Sequence, residues 1–498
     1  MDKRVAVVAG ALAAVMHLAT ASRYGYYRDE LYFIACAKRL AWGYVDMPPL
    51  APLVAWLSAP AHYELIVLRA SVALAAGATV YLACAITAEL GGSRNAQILA
   101  VLTVAFTPAY LFLGNTLTTT SFEPFTWALV AYAAMRLVRS AEAHWWYLLT
   151  AATVFGLYGK YSIALLALAL IFGLLLTPER RILKNAAFPI AFIGVIALLM
   201  PNIIWQGARG WPIFAVLHGD IVGRHAFNSG IQFEFARPII NAIAFYMEQI
   251  IFFNPLATPL WLIGTFALWR NRDFRPFRFI GIAFVFLLVA AAVLNAKGYY
   301  IAGIYTPLIC VGWAAFERWL GKIVPLSVLP AIVATLVFVP FTLPVLPPQT
   351  FLAYSNTLGI PQPLFADEFG WDDLTRRVAQ FYSRMPSALR LRTAIFADTY
   401  GDAAALEFYG RRYHLPQPIS AQNNYYLWGS GPYDGRSVLA VGASQADLLR
   451  ANFGRVILLG TFYDPYRAAA EGPTPIFLCT QPRAPLPQLW PRFKWYGA

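Results

Sequence analysis

Apolar residues run along this chain in long blocks, clearest at Val5–Ala19, Leu65–Leu90 and Ile323–Leu343. Each block approaches the roughly 20 residues that cross a hydrocarbon core. A segment in lipid must satisfy its own backbone amides, so such blocks form helices unless a barrel closes. Barrel strands alternate polar and apolar residues over about 10 positions, and no such alternation is present. Read with the basic residues that punctuate the blocks, the pattern predicts about eleven helical spans. They fall near 5–22, 65–90, 96–113, 122–138, 145–159, 161–177, 186–205, 241–269, 279–294, 299–316 and 323–343.

Lys and Arg residues in the short connections orient these spans. With Lys3 and Arg4 on the cytoplasmic side, alternation places Arg94, Arg136, Arg139, Arg180, Arg181, Lys184, Arg270, Arg272, Arg278, Arg318 and Lys322 there too. The opposite side receives loops 23–64, 114–121, 206–240 and 295–298, the junction at Lys160, and the chain beyond about residue 344. Those outer loops carry cations of their own, Arg28, Lys38, Arg39, Arg224 and Lys297. That departs from the charge rule and suggests an anionic ligand. Lys3, Arg4, an apolar run and Ala19-Thr20-Ala21 also have the form of a cleavable signal peptide. The polar loop that follows needs anchoring on both sides, so an uncleaved first helix is expected.

Composition agrees with a membrane protein. Of 498 residues 59% are hydrophobic and 13% charged, about half the charge of a soluble domain. The net charge of +13 sits mainly at helix ends and short loops, which suits anionic lipid headgroups in a bilayer and predicts no nucleic-acid partner. Cys36, Cys84, Cys310 and Cys479 have no metal-ligand spacing. Cys84 and Cys310 fall in apolar blocks as core residues, while a Cys36–Cys479 disulfide across the outer face is conceivable.

Beyond Pro344-Val345-Leu346-Pro347-Pro348 the charge becomes ordinary. Strand-like runs at Thr393–Ala397, Val438–Val441 and Val456–Leu459, and a helix at Trp371–Tyr382, predict a small α/β domain. The expected fold is therefore an all-α polytopic membrane domain with juxtamembrane helices over 1–344, followed by a small C-terminal α/β extracytoplasmic domain over 345–498.

Polar residues in the outer loops carry the candidate chemistry. The first loop reads Tyr26-Tyr27-Arg28-Asp29-Glu30-Leu31-Tyr32, then Trp42-Gly43-Tyr44-Val45-Asp46-Met47-Pro48-Pro49-Leu50. An Asp-Glu pair beside a membrane helix is costly if desolvated without partners. Its ordinary reading is a solvated turn in which Asp29 caps an amphipathic helix, Leu31–Leu40, lying in the interface. Glu123 stands at the lip of the fourth span, where an acid beside Pro124 is a common helix start. Lys160 interrupts a very long apolar run and must snorkel or pair. Lys297 precedes Tyr299 and Tyr300, and the long loop adds His218, Arg224 and His225.

Carboxylates and cations contributed by separate spans thus end at one surface. Carboxylates there act as a general base or bind a divalent ion; Mg or Mn held by Asp29 and Glu123 is the candidate metal site. Cations hold a phosphate leaving group and stabilise its charge. The combination suits transfer of a group from a lipid phosphate to a hydroxyl acceptor. No Walker A loop, GxGxxG after a strand, HExxH or GxSxG is present, which argues against an ATP-driven pump, a dinucleotide enzyme, a zincin or a serine hydrolase. A transporter or lipid flippase also uses intramembrane charge, but near the midplane and often within repeated halves. Here the charges gather at one interface and no repeat is visible.

These motifs together resemble the glycosyltransferase family 39 group, which has the GT-C fold and includes protein O-mannosyltransferases and the lipid A aminoarabinose transferase. The resemblance rests on Asp29-Glu30, Gly43-Tyr44 with Pro48-Pro49-Leu50, Ser121-Phe122-Glu123-Pro124 and Ala296-Lys297-Gly298-Tyr299-Tyr300. Asn202-Ile203-Ile204-Trp205-Gln206, Gly210-Trp211-Pro212, Gln249 with Asn254-Pro255-Leu256, Tyr400-Gly401-Asp402 and Asn423-Asn424-Tyr425-Tyr426 look like bacterial members. It implies a polyprenyl-phosphate sugar donor, a hydroxyl acceptor and inverting transfer on the outer face of a bacterial inner membrane. It implies Asp29 as catalytic base with Glu30 in support, Asp46 and Glu123 as acidic residues near the site, and Lys160 and Lys297 as donor-phosphate contacts. The chain departs from the aminoarabinose transferase at Val45-Asp46-Met47-Pro48, where that enzyme has a Phe-Glu-Lys-Pro pattern, and it lacks the domain that eukaryotic protein mannosyltransferases insert.

Overall fold

In the computed structural model the described residues are 1–227, 237–255, 257–294, 296–320, 336–358, 364–442, 446–467 and 472–497, without the side chains of 220–227, 237–239, 320, 364 and 365. Helix α1 (Lys3–Thr20) starts at Asp2, whose carboxylate accepts the Arg4 and Val5 backbone N–H groups. After it come the short helices α2 (Arg28–Ala37) and α3 (Leu50–Leu57). The helical body continues with α4 (Leu65–Glu89), α5 (Arg94–Ala105), α6 (Pro108–Asn115), α7 (Glu123–Ser140), α8 (His144–Gly159), α9 (Ser162–Leu175) and α10 (Ala187–Gly207). It ends with α11 (Pro212–Phe227), α12 (Arg237–Phe252), α13 (Thr258–Arg270), α14 (Arg278–Val293) and α15 (Tyr305–Leu320).

Among the described residues five helices are long and apolar enough to cross a membrane, and seven if each sharply bent pair counts as one span. The chain is thus a multi-pass membrane protein. Other expected spans coincide with the shorter or more polar helices α7, α8 and α13. Two spans differ in shape from the reading of the sequence. The one near 96–113 is bent by 63° between α5 and α6, where Thr107 is followed by Pro108. The one near 241–269 is two helices, α12 and α13, broken at Asn254, which takes the left-handed φ of 72° before Pro255. Most of the span near 323–343 lies outside the described residues.

Small residues bring the helices together, as expected where lipid offers no hydrophobic drive. α13 packs on α15 at Gly264 and Gly312; a Cβ on Gly264 would lie 2.1 Å from the Leu308 carbonyl oxygen, and one on Gly312 2.2 Å from that of Leu260. Beside this seam the Phe253 and Tyr305 rings stack at 4.0 Å. α10 is inverted relative to a soluble helix, because its two buried residues are Asn202 and Gln206. Its apolar face is left to lipid, while its polar groups point into the protein.

The C-terminal region forms a five-stranded sheet in the order β2-β1-β3-β5-β4. Its strands are β1 (Thr393–Ala397), β2 (Ile419–Ser420), β3 (Ser437–Val441), β4 (Phe453–Phe462) and β5 (Thr474–Pro482). β2, β1 and β3 run parallel, and β5 runs antiparallel to both its neighbours, β3 and β4. Both faces of β1 and β3 are covered. Ile395, Ala397, Leu439 and Val441 enter one cluster, and Ala394, Phe396, Val438 and Ala440 the other, as a period of two requires.

The first cluster also contains Leu31–Ala37 of α2 and Leu50, Ala51 and Val54 of α3. α2 was expected to lie in the membrane interface with one face in lipid. Instead every residue from Glu30 to Ala37 is buried, because the tail helix Tyr400–Tyr409 packs against it. Lys38 and Arg39, expected as its polar face, reach Glu407 of that helix at 2.9 and 3.4 Å. The four cysteines are buried free thiols, with Cys36 and Cys479 in different clusters, so they form no disulfide.

Gly264→Ala is expected to lower stability by about 1–3 kcal/mol through overpacking at a backbone contact. Thermal unfolding of the detergent-solubilised protein measures it, and an unchanged melting temperature would remove the seam's role.

Candidate active site

The site is organised by a buried charge cluster at the start of α2. Glu30 has no solvent exposure, and Arg69 of α4 binds it through two bonds, Nε to Oε1 and Nη2 to Oε2, each 2.7 Å. Glu30 also accepts the N–H of Tyr27 at 2.8 Å, closing the first turn of α2, and that of Leu117 at 2.9 Å. Arg69 also donates to the carbonyls of Ala21 and Gly25, at 2.6 and 3.1 Å. Glu368, in the tail turn Leu364–Glu368, lies 3.3 Å from Arg69 Nη2. Burial, and the repulsion of Glu30, raise its carboxyl to about 8 despite Arg69.

Asp29, expected to cap α2, instead occupies the first turn with its side chain about a quarter exposed. Tyr400 of the tail helix donates its hydroxyl to Asp29 Oδ1 at 2.8 Å, the one hydrogen bond to this carboxylate among the described residues. Arg28 stands 3.8 Å from the same oxygen and 3.6 Å from Asp367. The tail can approach this closely because residue 401 is glycine; a Cβ there would lie 2.6 Å from Arg28 Cγ.

Asp46 is held by the tail as well. Its Oδ1 accepts from the Tyr32 hydroxyl at 3.0 Å and Asn424 Nδ2 at 3.1 Å, and its Oδ2 from Asn423 Nδ2 at 3.1 Å. Burial pushes its carboxyl up to about 7, with Asp29 adding repulsion against the pull of these donors. Asn424 Oδ1 in turn accepts the Val45 N–H at 3.1 Å.

A second cluster gathers Glu123, Lys160, Tyr299 and Tyr300. Lys160 Nζ bonds Thr120 Oγ1 at 2.7 Å, stands 3.9 Å from Glu123 and faces the Tyr299 and Tyr300 rings at 4.7 and 4.3 Å. Such placement over two ring faces favours a cation. Ser162 donates its hydroxyl to Glu123. Lys297 is half-buried beside Gly298. The two clusters are joined through α10. The Tyr161 hydroxyl donates to Asn202 Oδ1 at 3.0 Å, while Asn202 and Gln206 donate to the carbonyls of Trp42 and Tyr44, at 2.7 and 2.9 Å, in the strand of loop that carries Asp46.

The structure therefore brings Asp29 and Asp46 to side chains of the tail, with Glu30 linked to the tail through Arg69 and Glu368, and gathers Glu123, Lys160, Tyr299 and Tyr300 in a separate cluster. His218 is exposed on α11 and bonds to neither. The Arg224 side chain lies outside the described residues. Among the described residues no group of three or more His, Cys, Asp or Glu is placed to hold a metal. Arg69 was missed in the sequence, although a lone arginine inside an apolar block needs a partner and so carried a signal. Nothing local marked Tyr32 or Glu368.

Residues 46–205 match the family model described as dolichyl-phosphate-mannose-protein mannosyltransferase. The structure is similar to the crystal structure of ArnT from Cupriavidus metallidurans bound to undecaprenyl phosphate. The TM-score is 0.58 at 14% identity, covering 96% of this chain and 98% of that one. It is similar too to apo ArnT from the same organism, with a TM-score of 0.58 and 15% identity over 95% and 97% of the two chains. At such identity the likeness establishes the fold, which is GT-C. No match was found among curated proteins.

The raised carboxyls fix the sign of a pH effect. Glu368 and Asp46 hold protons in the folded state that the unfolded chain releases near its ordinary carboxylate range. The stability that these two protons contribute is fully present below about pH 4 and is lost as pH rises through about 7 and 8. Melting temperature should fall between pH 5 and pH 8.5, on the order of 5 °C. Glu368→Gln, which mimics the protonated acid, should flatten that fall; an identical slope in the variant would contradict the assignment.

Proposed function

We propose that this GT-C-fold membrane protein is a glycosyltransferase that moves a sugar from a polyprenyl-phosphate donor to a hydroxyl acceptor, with inversion at the anomeric carbon. The observation that carries the reading is Asp29, a partly exposed carboxylate fixed through one oxygen by Tyr400 and joined through the Asp46 loop and α10 to the Lys160 cluster. The mannosyltransferase model over 46–205 and the fold shared with an undecaprenyl-phosphate-bound ArnT support a lipid-phosphate donor.

Transfer is a single displacement. The acceptor oxygen bonds to the anomeric carbon as the bond from that carbon to the donor phosphate oxygen breaks. The acceptor proton passes to Asp29 Oδ2, and polyprenyl phosphate departs with the electron pair. Glu30 takes no proton, because all its acceptor capacity is used on Arg69, Tyr27 and Leu117; it supports Asp29 by locking the first turn of α2. Lys160 and Lys297 hold the donor phosphate, with Tyr299 and Tyr300 backing Lys160. Asp46 and Glu123 set the polar walls, and neither Arg224 nor His218 has an assigned part.

The reaction face is extracytoplasmic in a bacterial inner membrane, following the positive-inside count. Residues 1–344 form the membrane catalytic unit and 345–498 the extracytoplasmic unit, which contributes side chains to the site.

Asp29→Asn keeps the shape of the side chain and removes the base. Transfer should drop by about a thousandfold while the protein inserts and melts normally; transfer at the parental rate would sink the role. Lys160→Ala should raise KM for the lipid donor about tenfold or more, as read from donor titrations. An unchanged KM would take Lys160 out of the phosphate site.

A further inference from the structure

Tyr400 belongs to the tail, more than three hundred residues from Asp29 in sequence, yet its ring is tightly fixed at the site. Its backbone N–H donates to Gln422 Oε1 at 2.6 Å, the Tyr32 ring packs against it at 4.6 Å, and the Arg28 guanidinium lies over it at 5.6 Å. Gly401 lets its helix close on Arg28. Together these contacts fix the ring so that its hydroxyl meets one carboxylate oxygen of Asp29.

We propose that Tyr400 is a positioning residue for Asp29, holding Oδ1 so that Oδ2 is the oxygen presented to the acceptor hydroxyl. This rests on the reading of Asp29 as the base. A carboxylate torsion is soft and nearly two-fold, so without a fixed donor the reacting oxygen is not defined. A donated hydrogen bond also favours the ionised carboxylate. Other charged or titratable groups face Asp29: Arg28 and Tyr27 at the start of α2, Asp46 from the loop, and Asp367, through Arg28, from the tail turn. Burial and the adjacent Asp29 charge keep the Tyr400 hydroxyl protonated, so it remains a donor throughout the working pH range.

The test is Tyr400→Phe, which removes only the hydroxyl, assayed with a polyprenyl-phosphate sugar that the parent protein turns over. Expected are a kcat lower by about tenfold, an unchanged KM for the donor, and an acidic limb of kcat/KM moved up by about one pH unit. Placing 3,5-difluorotyrosine at 400, with a stronger donor of nearly the same shape, should move that limb down. A Tyr400→Phe protein with the parental kcat and pH profile overturns the proposal. So does one that loses kcat at an unshifted limb, the mark of packing alone. If Tyr400→Phe does not insert, the difluorotyrosine protein decides: an unmoved limb overturns the proposal. Asp29→Asn run in parallel separates the two claims, since retained transfer there removes the base itself, whatever Tyr400 does.

Discussion

An arginine with no solvent exposure stands in the second turn of a membrane helix, and the surrounding backbone is arranged to satisfy it. Arg69 binds Glu30 through two oxygens, takes the carbonyls of Ala21 and Gly25, and approaches Glu368 of the tail. A buried pair broken on one side leaves an uncompensated charge, at about 3–5 kcal/mol. The arrangement therefore holds as a unit, joining α4, the end of α1, the start of α2, the segment after α6 and the tail.

Its consequence for chemistry comes from helix geometry. Neighbouring residues on a helix point about 100° apart, so fixing Glu30 toward Arg69 turns Asp29 toward the tail. There Tyr400 meets Asp29, while Asn423 and Asn424 hold Asp46. The C-terminal region is more than a cover. Its hydrophobic cluster contains α2, and its side chains complete the surroundings of both loop carboxylates. Burial, with the added repulsion of a second carboxylate on the same arginine, is why Glu368 keeps its proton well above the usual range.

Much of this was legible in the sequence where a residue's environment repeats along the chain. Hydropathy located α1, α4 and α10, and a short strand-like run located β1 at Thr393–Ala397. Asp29, Glu123 and Lys160 stood out as charges in apolar surroundings, and the last two do meet. Contacts between distant segments were not legible. The amphipathic look of Leu31–Leu40 suited a membrane interface equally well, and only the packed tail helix shows why that face is dry. That Asp46 is an acidic residue near the site was legible, but not that both its oxygens accept from tail and α2 side chains. Arg69 had a local signal but no visible partner, because Glu30 and Glu368 reach it from elements far apart in the chain.

The central claim is that this surface transfers a sugar from a polyprenyl phosphate. Its most direct test is mass spectrometry of purified protein incubated with a panel of polyprenyl-phosphate sugars and the cognate membrane extract as acceptor. The account predicts that one donor is consumed, with stoichiometric release of polyprenyl phosphate and of a product inverted at the anomeric carbon. Release of the sugar with its configuration retained, or movement of intact donor across a bilayer with no bond broken, would contradict it.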